Sequence, residues 1–162
     1  MKTGIIFRDR LFPSDLHILV KIVENTGFFR KDEALVAGEL MEENLKFGAS
    51  SGYQFFVAEN AGIPVGFACY GKIPCTKYAY DLYWIAVAKT EQNKGIGKAL
   101  LNLTEKAVNK QGGTMLYIET SGKKLYENTQ KFYSANHYTH LAVFDDFYDI
   151  GDSKWVYRKN LD

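Results

Sequence analysis

One stretch of this 162-residue chain has residues whose types and order suit a defined chemistry. Tyr83-Trp84-Ile85-Ala86-Val87 reads as the end of a strand, and Ala88 to Glu91 as a polar connection. Gln92-Asn93-Lys94-Gly95-Ile96-Gly97-Lys98 then reads as the start of a helix. A helix start leaves backbone N–H groups unpaired and carries the positive end of the helix dipole. Glycines remove the side chains that would keep a ligand away from those groups. The product is an anion site suited to a pyrophosphate. A bare Gly-x-Gly also opens helices that hold nothing. Nucleotide loops fit poorly here. A Walker-type loop needs a glycine where the chain has Gln92, and a Ser or Thr where it has Ala99. A dinucleotide fingerprint needs a third glycine, which is absent.

Other reactive side chains form weaker patterns. His17, His137, His140, Cys69 and Cys75 show no metal-ligand spacing, so no metal is expected. Asp145, Asp146, Asp149 and Asp152 fall in one late segment. They read either as an acidic lip for cationic amines or as a solvated turn.

The elements that must position these groups follow from periodicity. A short strand covers Gly4 to Arg8. A helix starts at Pro13-Ser14-Asp15 and stops at Gly27, and a second runs from Lys31 to Phe47. Tyr53–Glu59 and Ile63–Lys72 are strands joined by the turn Asn60-Ala61-Gly62. Tyr78–Val87 is a further aromatic strand. The helix Ile96–Lys110 shows Leu100, Leu101, Leu103, Ala107 and Val108 on one side. Met115–Glu119 reads as a buried strand and Lys124–Ala135 as a fourth helix. His137–Phe144 and Lys154–Lys159 read as two last strands joined by a loop through Gly151. Strands outnumber helices and most neighbours are hairpin-linked. This predicts an α/β (α+β) domain over 1–162, with a mixed sheet and helices on its faces.

Composition narrows the function classes. Hydrophobic residues make up 46% and charged residues 24%, which excludes a disordered chain, a collagen and a coiled coil. A net charge of +1 argues against a protein that coats nucleic acid. No apolar window is long enough to span a membrane. Met1 to Ile5 runs into Arg8, Asp9 and Arg10 too soon for a signal peptide. Two cysteines make no disulfide framework, and the chain reads as cytoplasmic. The 11 Tyr and 11 Phe belong to an aromatic core or to an aromatic-lined pocket, which composition does not separate.

The pattern Gln92-x-x-Gly95-x-Gly97 lies between a Val-ending strand and an amphipathic helix. Phe132-Tyr133 follows, then His137-Tyr138. Together these resemble the acyl-CoA-binding motif and the late Phe-Tyr motif of the GNAT superfamily of N-acetyltransferases. Asn136-His137-Tyr138 stands where the family often has Gly-Phe, and Asn can supply the left-handed backbone of a glycine. The resemblance implies a mostly antiparallel central sheet, about four flanking helices, and fourth and fifth strands that splay apart. It implies acetyl-CoA as co-substrate, with backbone groups of Ile85, Ala86 and Val87 pairing with the pantetheine arm like an added strand. Amides from Gln92, Asn93, Lys94, Gly95, Ile96, Gly97 and Lys98 would hold the pyrophosphate. Lys94 and Lys98 would add charge, or stand as ordinary solvated lysines. Family members are often dimers, so a homodimer is compatible with the resemblance.

Acetyl transfer to an amine needs a base, because ammonium has no lone pair. It also needs stabilisation of the thioester oxygen, and a hydrogen bond for the departing thiolate. Tyr133 resembles the family's tyrosine beside the sulfur. In one helix, Tyr126 and Thr129 would share its face and line the arm. Many family members have an Asn where this chain has Tyr126. For the base, Asp81 has the spacing of the catalytic Glu in several members, six residues before Val87. On an ideal strand it shares a face with Tyr83 and Ile85, whereas a bulge there would shift the register. Burial among Tyr80, Tyr83 and Trp84 would raise its pKa. Glu119 is the second candidate, and relay through water the third route. The expected activity is direct transfer of acetyl to a primary amine, small or peptidic. A non-catalytic acyl-CoA binder on the same fold would keep the glycine turn but need neither Tyr133 nor a strand carboxylate.

Overall fold

The computed structural model describes residues 4–162. Met1 to Thr3, where the leader reading begins, lie outside the described residues. Two compact units are present. The first holds the residues up to Gly71 together with Tyr83–Lys106, and the second holds Lys72–Leu82 and Ala107–Asp162.

In the first unit, β1 (Ile5–Arg8), β2 (Gln54–Asn60) and β3 (Ile63–Lys72) form antiparallel pairs, with α1 (Asp15–Asn25) and α2 (Lys31–Phe47) between β1 and β2. The β2–β3 turn is Ala61-Gly62, both with positive φ, as a tight hairpin requires. The chain enters α1 through a partly buried ion cluster. Arg8 donates to both oxygens of Asp15 at 2.8 and 2.9 Å and to Glu59 at 3.0 Å. Asp15 also accepts the Phe12 N–H, so this carboxylate organises the helix start while Ser14 makes no cap bond. Leu19, Val23, Met41, Val57 and Phe67 are fully buried and form the centre of the core.

β4 (Ala79–Val87) and α3 (Ile96–Lys110) pass through both units. In the second unit, β4 pairs in parallel with β5 (Met115–Ser121), but only from Ala79↔Met115 to Leu82↔Ile118. β4 then runs on for five residues beyond that ladder. β7 (Asp152–Asn160) pairs antiparallel with both β5 and β6 (Thr139–Asp149). The strand order is β1-β2-β3-β4-β5-β7-β6, a seven-stranded, mostly antiparallel sheet.

Three local expectations are revised. The fourth helix is shorter: Lys124–Tyr126 form a 3-10 turn, and α4 proper is Glu127–Ala135. The last two strands are longer, so most of the supposed aspartate loop is strand and only Ile150-Gly151 turn. Aspartate has low β propensity, but β6 is an exposed edge and tolerates it. His137, not Asn136, takes the left-handed backbone after α4. Among the described residues, no helix is long and apolar enough to cross a membrane, and no three His, Cys, Asp or Glu are grouped to hold a metal ion.

Candidate active site

The glycine turn lies wholly in the first unit. Gln92 is extended, Asn93 and Gly95 have φ of 61° and 82°, and the helix follows at Ile96. Left-handed residues alternating along a turn aim successive N–H groups to one side, a nest that suits an anion. The first backbone bond of α3 runs from Ala99 N–H to Gly95 O, so the amides of Ile96, Gly97 and Lys98 are the open donors of the helix start. Asn93, Lys94, Gly95 and Lys98 are exposed, while Ile96 is buried and anchors the turn.

Two side chains of the turn have structural work. Gln92 Nε2 donates to Val87 O at 3.0 Å and clamps the turn to the end of β4. That bond uses a carbonyl expected to face the pantetheine arm. Lys94 pairs with Glu91 at 3.1 Å, which offsets part of its charge. On β4, Tyr83 stacks edge-on with Tyr53, and Trp84 with Phe29. Both rings pack against one core cluster. The backbone also comes close to β3, where a Cβ on Gly66 would lie 2.9 Å from Ala86 O.

The second unit carries the titratable candidates. Asp81 sits opposite Tyr117, and Glu119 is two residues further along β5 on the same face. Asp81 is half-buried, and its pKa is raised to about 6. Burial is the main cause, the negative charge of Glu119 adds to it, and Lys154 opposes it. Glu119 is half-exposed and pairs with Lys154 at 3.5 Å. The structure therefore brings both expected carboxylates together.

Tyr133 lies elsewhere in that unit. Its ring is buried against Phe132, Tyr138 and Tyr157. Tyr157 pairs in register with Ile118, and Ile118 with Leu82, so Tyr133 packs on the face opposite Asp81 and Glu119. Burial, with Tyr157 beside it, pushes the Tyr133 phenol well above the ordinary range, so it stays protonated. Thr129 is on α4 one turn before Tyr133, whereas Tyr126 is in the preceding 3-10 turn. The aspartates of the last hairpin serve the turn. Asp146 and Asp149 accept the N–H groups of Gly151 and Ile150, and Asp152 is buried against Ser121 at 2.5 Å. Cys69 is buried and its thiol is pushed up by burial, while Cys75 is exposed.

Sequence reading missed Lys154 and Tyr157. Both sit on β7, and their partners are set by cross-strand register, which no local pattern records.

Residues 51–140, more than half the chain, match the family model for an acetyltransferase (GNAT) domain. No curated protein matches. Among solved structures, a protein of the GNAT family from Desulfovibrio desulfuricans is 42% identical, with a TM-score of 0.95, over 98% of this chain and 100% of that one. The aminoglycoside 6'-N-acetyltransferase complexed with coenzyme A shares the fold at 20% identity, with a TM-score of 0.75 and coverage of 98% and 97%. The ribosomal-protein-S18-alanine N-acetyltransferase from Escherichia coli does so at 17% identity, with a TM-score of 0.75 and coverage of 98% and 94%. The chain belongs to the GNAT family and is an acetyl-CoA-dependent acyltransferase.

Proposed function

We propose that this protein transfers acetyl from acetyl-CoA directly to a primary amine, with Asp81 as base and Tyr133 as hydrogen-bond donor to the leaving thiolate, the whole chain acting as one catalytic domain. The observation that carries the reading is the nest at Asn93 and Gly95, whose open amides at Ile96 to Lys98 suit a diphosphate. The stretch of β4 beyond Leu82, past the end of the β5 ladder, supports a pantetheine arm lying along Ile85 and Ala86 as an added strand. Tyr126 and Thr129 are the proposed lining of that arm.

The amine must be neutral to attack. Its N–C bond to the acetyl carbon forms as the C–S bond breaks, and one proton leaves the nitrogen. Asp81, with a pKa near 6, is mostly ionised at pH 7 yet more basic than an ordinary carboxylate. Tyr133 holds its proton too tightly to give it up, so it stabilises the thiolate by donating a hydrogen bond. Glu119 is the neighbour that raises Asp81 rather than a second base.

The two distant neighbours are N-acetyltransferases for an aminoglycoside and for an alanine of a ribosomal protein. What those acceptors share is an amine, and that is the class proposed here. A thiol-release assay with acetyl-CoA across amino sugars, polyamines, amino acids and peptides tests the reading. Release with at least one amine, lost in Asp81→Asn, is expected. Tight CoA binding with no release on any amine points instead to the acyl-CoA-binding module.

A further inference from the structure

We propose that Lys154 is a positioning residue for the two carboxylates: seated against Glu119 and the rings of Phe144 and Phe147, it keeps Asp81 free to take a proton near neutral pH. The inference rests on Asp81 being the base. Lys154 is not a loose surface lysine, because its side chain is only 14% exposed. Its ammonium lies 3.8 Å from the centre of the Phe147 ring, 5.2 Å from that of Phe144 and 3.5 Å from Glu119 Oε1. Two aromatic faces and one carboxylate hold the cation where water alone would leave the chain free.

Register explains the aim. Lys154 pairs with Ser121 on β5 and Phe144 on β6, and alternation puts it on the face that carries Glu119, Tyr117 and Asp81. β4 presents Asp81 and β5 presents Glu119. β7 presents Lys154, Arg158 opposite Tyr117, and Asp152, which is held by Ser121 and by Lys123. β6 carries Asp145, Asp146 and Asp149 towards its turn, of which the last two bind turn amides. Glu119 and Lys154 are the charges that act on Asp81, with opposite signs. Two nearby carboxylates tend to share one proton, because like charges in one site resist ionising together. A cation paired with one of them relieves that repulsion, and the proton site of the other is left for the substrate amine.

The test uses Lys154→Met, which keeps the apolar stem, and Lys154→Arg, which keeps the charge. The first readout is a carbon-13 NMR titration of the Asp81 carboxyl in the ligand-free protein. Lys154→Met is expected to raise the Asp81 midpoint by about one pH unit, and Lys154→Arg to restore most of it. The second readout is the pH profile of kcat/KM. With the midpoint raised that far, activity falls about fivefold at pH 6 and stays nearly unchanged at about pH 9, where Asp81 is ionised in both proteins. An unmoved NMR midpoint overturns the role of Lys154, whatever activity does. A moved midpoint with an unmoved kinetic profile overturns Asp81 as base, and with it any part for Lys154 in the reaction. A loss of equal size at every pH marks Lys154 as structural only and overturns the inference.

Discussion

The glycine turn and the carboxylate face solve two problems with different materials. The turn is made of backbone: left-handed Asn93 and Gly95, open amides, and a Gln92 clamp. None of those donors titrates in the working range. The face is made of side chains: Asp81, with Glu119 and Lys154 acting on its charge in opposite senses. Holding the co-substrate should therefore be nearly independent of pH, while removing a proton from the amine should depend on it strongly. The two functions are also separable by mutation, and the largest expected effects fall on the chemical side.

Asp81→Asn should give the largest change. Loss of a general base costs about 10²- to 10⁴-fold in kcat. CoA affinity, measured by calorimetry, should stay the same. In the unaltered protein kcat/KM should rise with pH through about 6, the value to which Asp81 is raised, and level off above it. The variant should show no inflection there. A variant that keeps both turnover and inflection would return the proton to a water relay.

Tyr133→Phe comes next. The ring contacts with Phe132, Tyr138 and Tyr157 survive in phenylalanine, so stability should hardly move. Removing a donor to a thiolate should lower kcat by about 10²-fold or less, since it is one hydrogen bond to a good leaving group. An equal loss of CoA affinity would make Tyr133 a binding residue instead.

The turn was open to sequence reading because its cause is local. Glycine spacing and helix onset are written in consecutive residues, and the element order from Lys31–Phe47 to Ile96–Lys110 follows from hydrophobic period. The face was only partly legible. Asp81 and Glu119 stood out as acids on strands, but their coupling needs a parallel β4–β5 register, and Lys154 needs the β5–β7 register too. The ring contacts of Tyr83 with Tyr53 and of Trp84 with Phe29 were also hidden, since they join residues far apart in the chain. Aspartates in the last hairpin suggested a loop because their turn bonds to Gly151 and Ile150 amides look the same in sequence as solvent-facing charge.

A smaller effect sharpens the backbone side of the contrast. Gly95→Ala forces a side chain into a φ of 82°, although open space surrounds the position. The conformational cost of roughly 1–2 kcal/mol would weaken CoA binding about five- to thirtyfold if the turn relaxes. The ratio should be the same at pH 6 and pH 9. A weakening that varies with pH would mean that a titrating side chain, and not the nest, holds the anion.

The smallest expected effect is on stability, and its sign separates a strained acid from a structural one. Asp81 has its pKa raised from 3.8 to about 6 by burial and by Glu119. The folded state therefore binds this proton more tightly than the unfolded chain does. The stability this gives is full below pH 3.8 and declines until the folded group ionises near 6; above that the buried charge is a net cost. Lys154 softens the cost without removing it. Asp81→Asn deletes the charge and keeps the shape, so its melting temperature should exceed that of the unaltered protein by a few degrees at pH 8, with the gap closing near pH 4. Circular dichroism melts at the two pH values decide it. A variant that melts lower at both would mean that the carboxylate has a stabilising partner, and its raised pKa would then not reflect a site that trades stability for basicity.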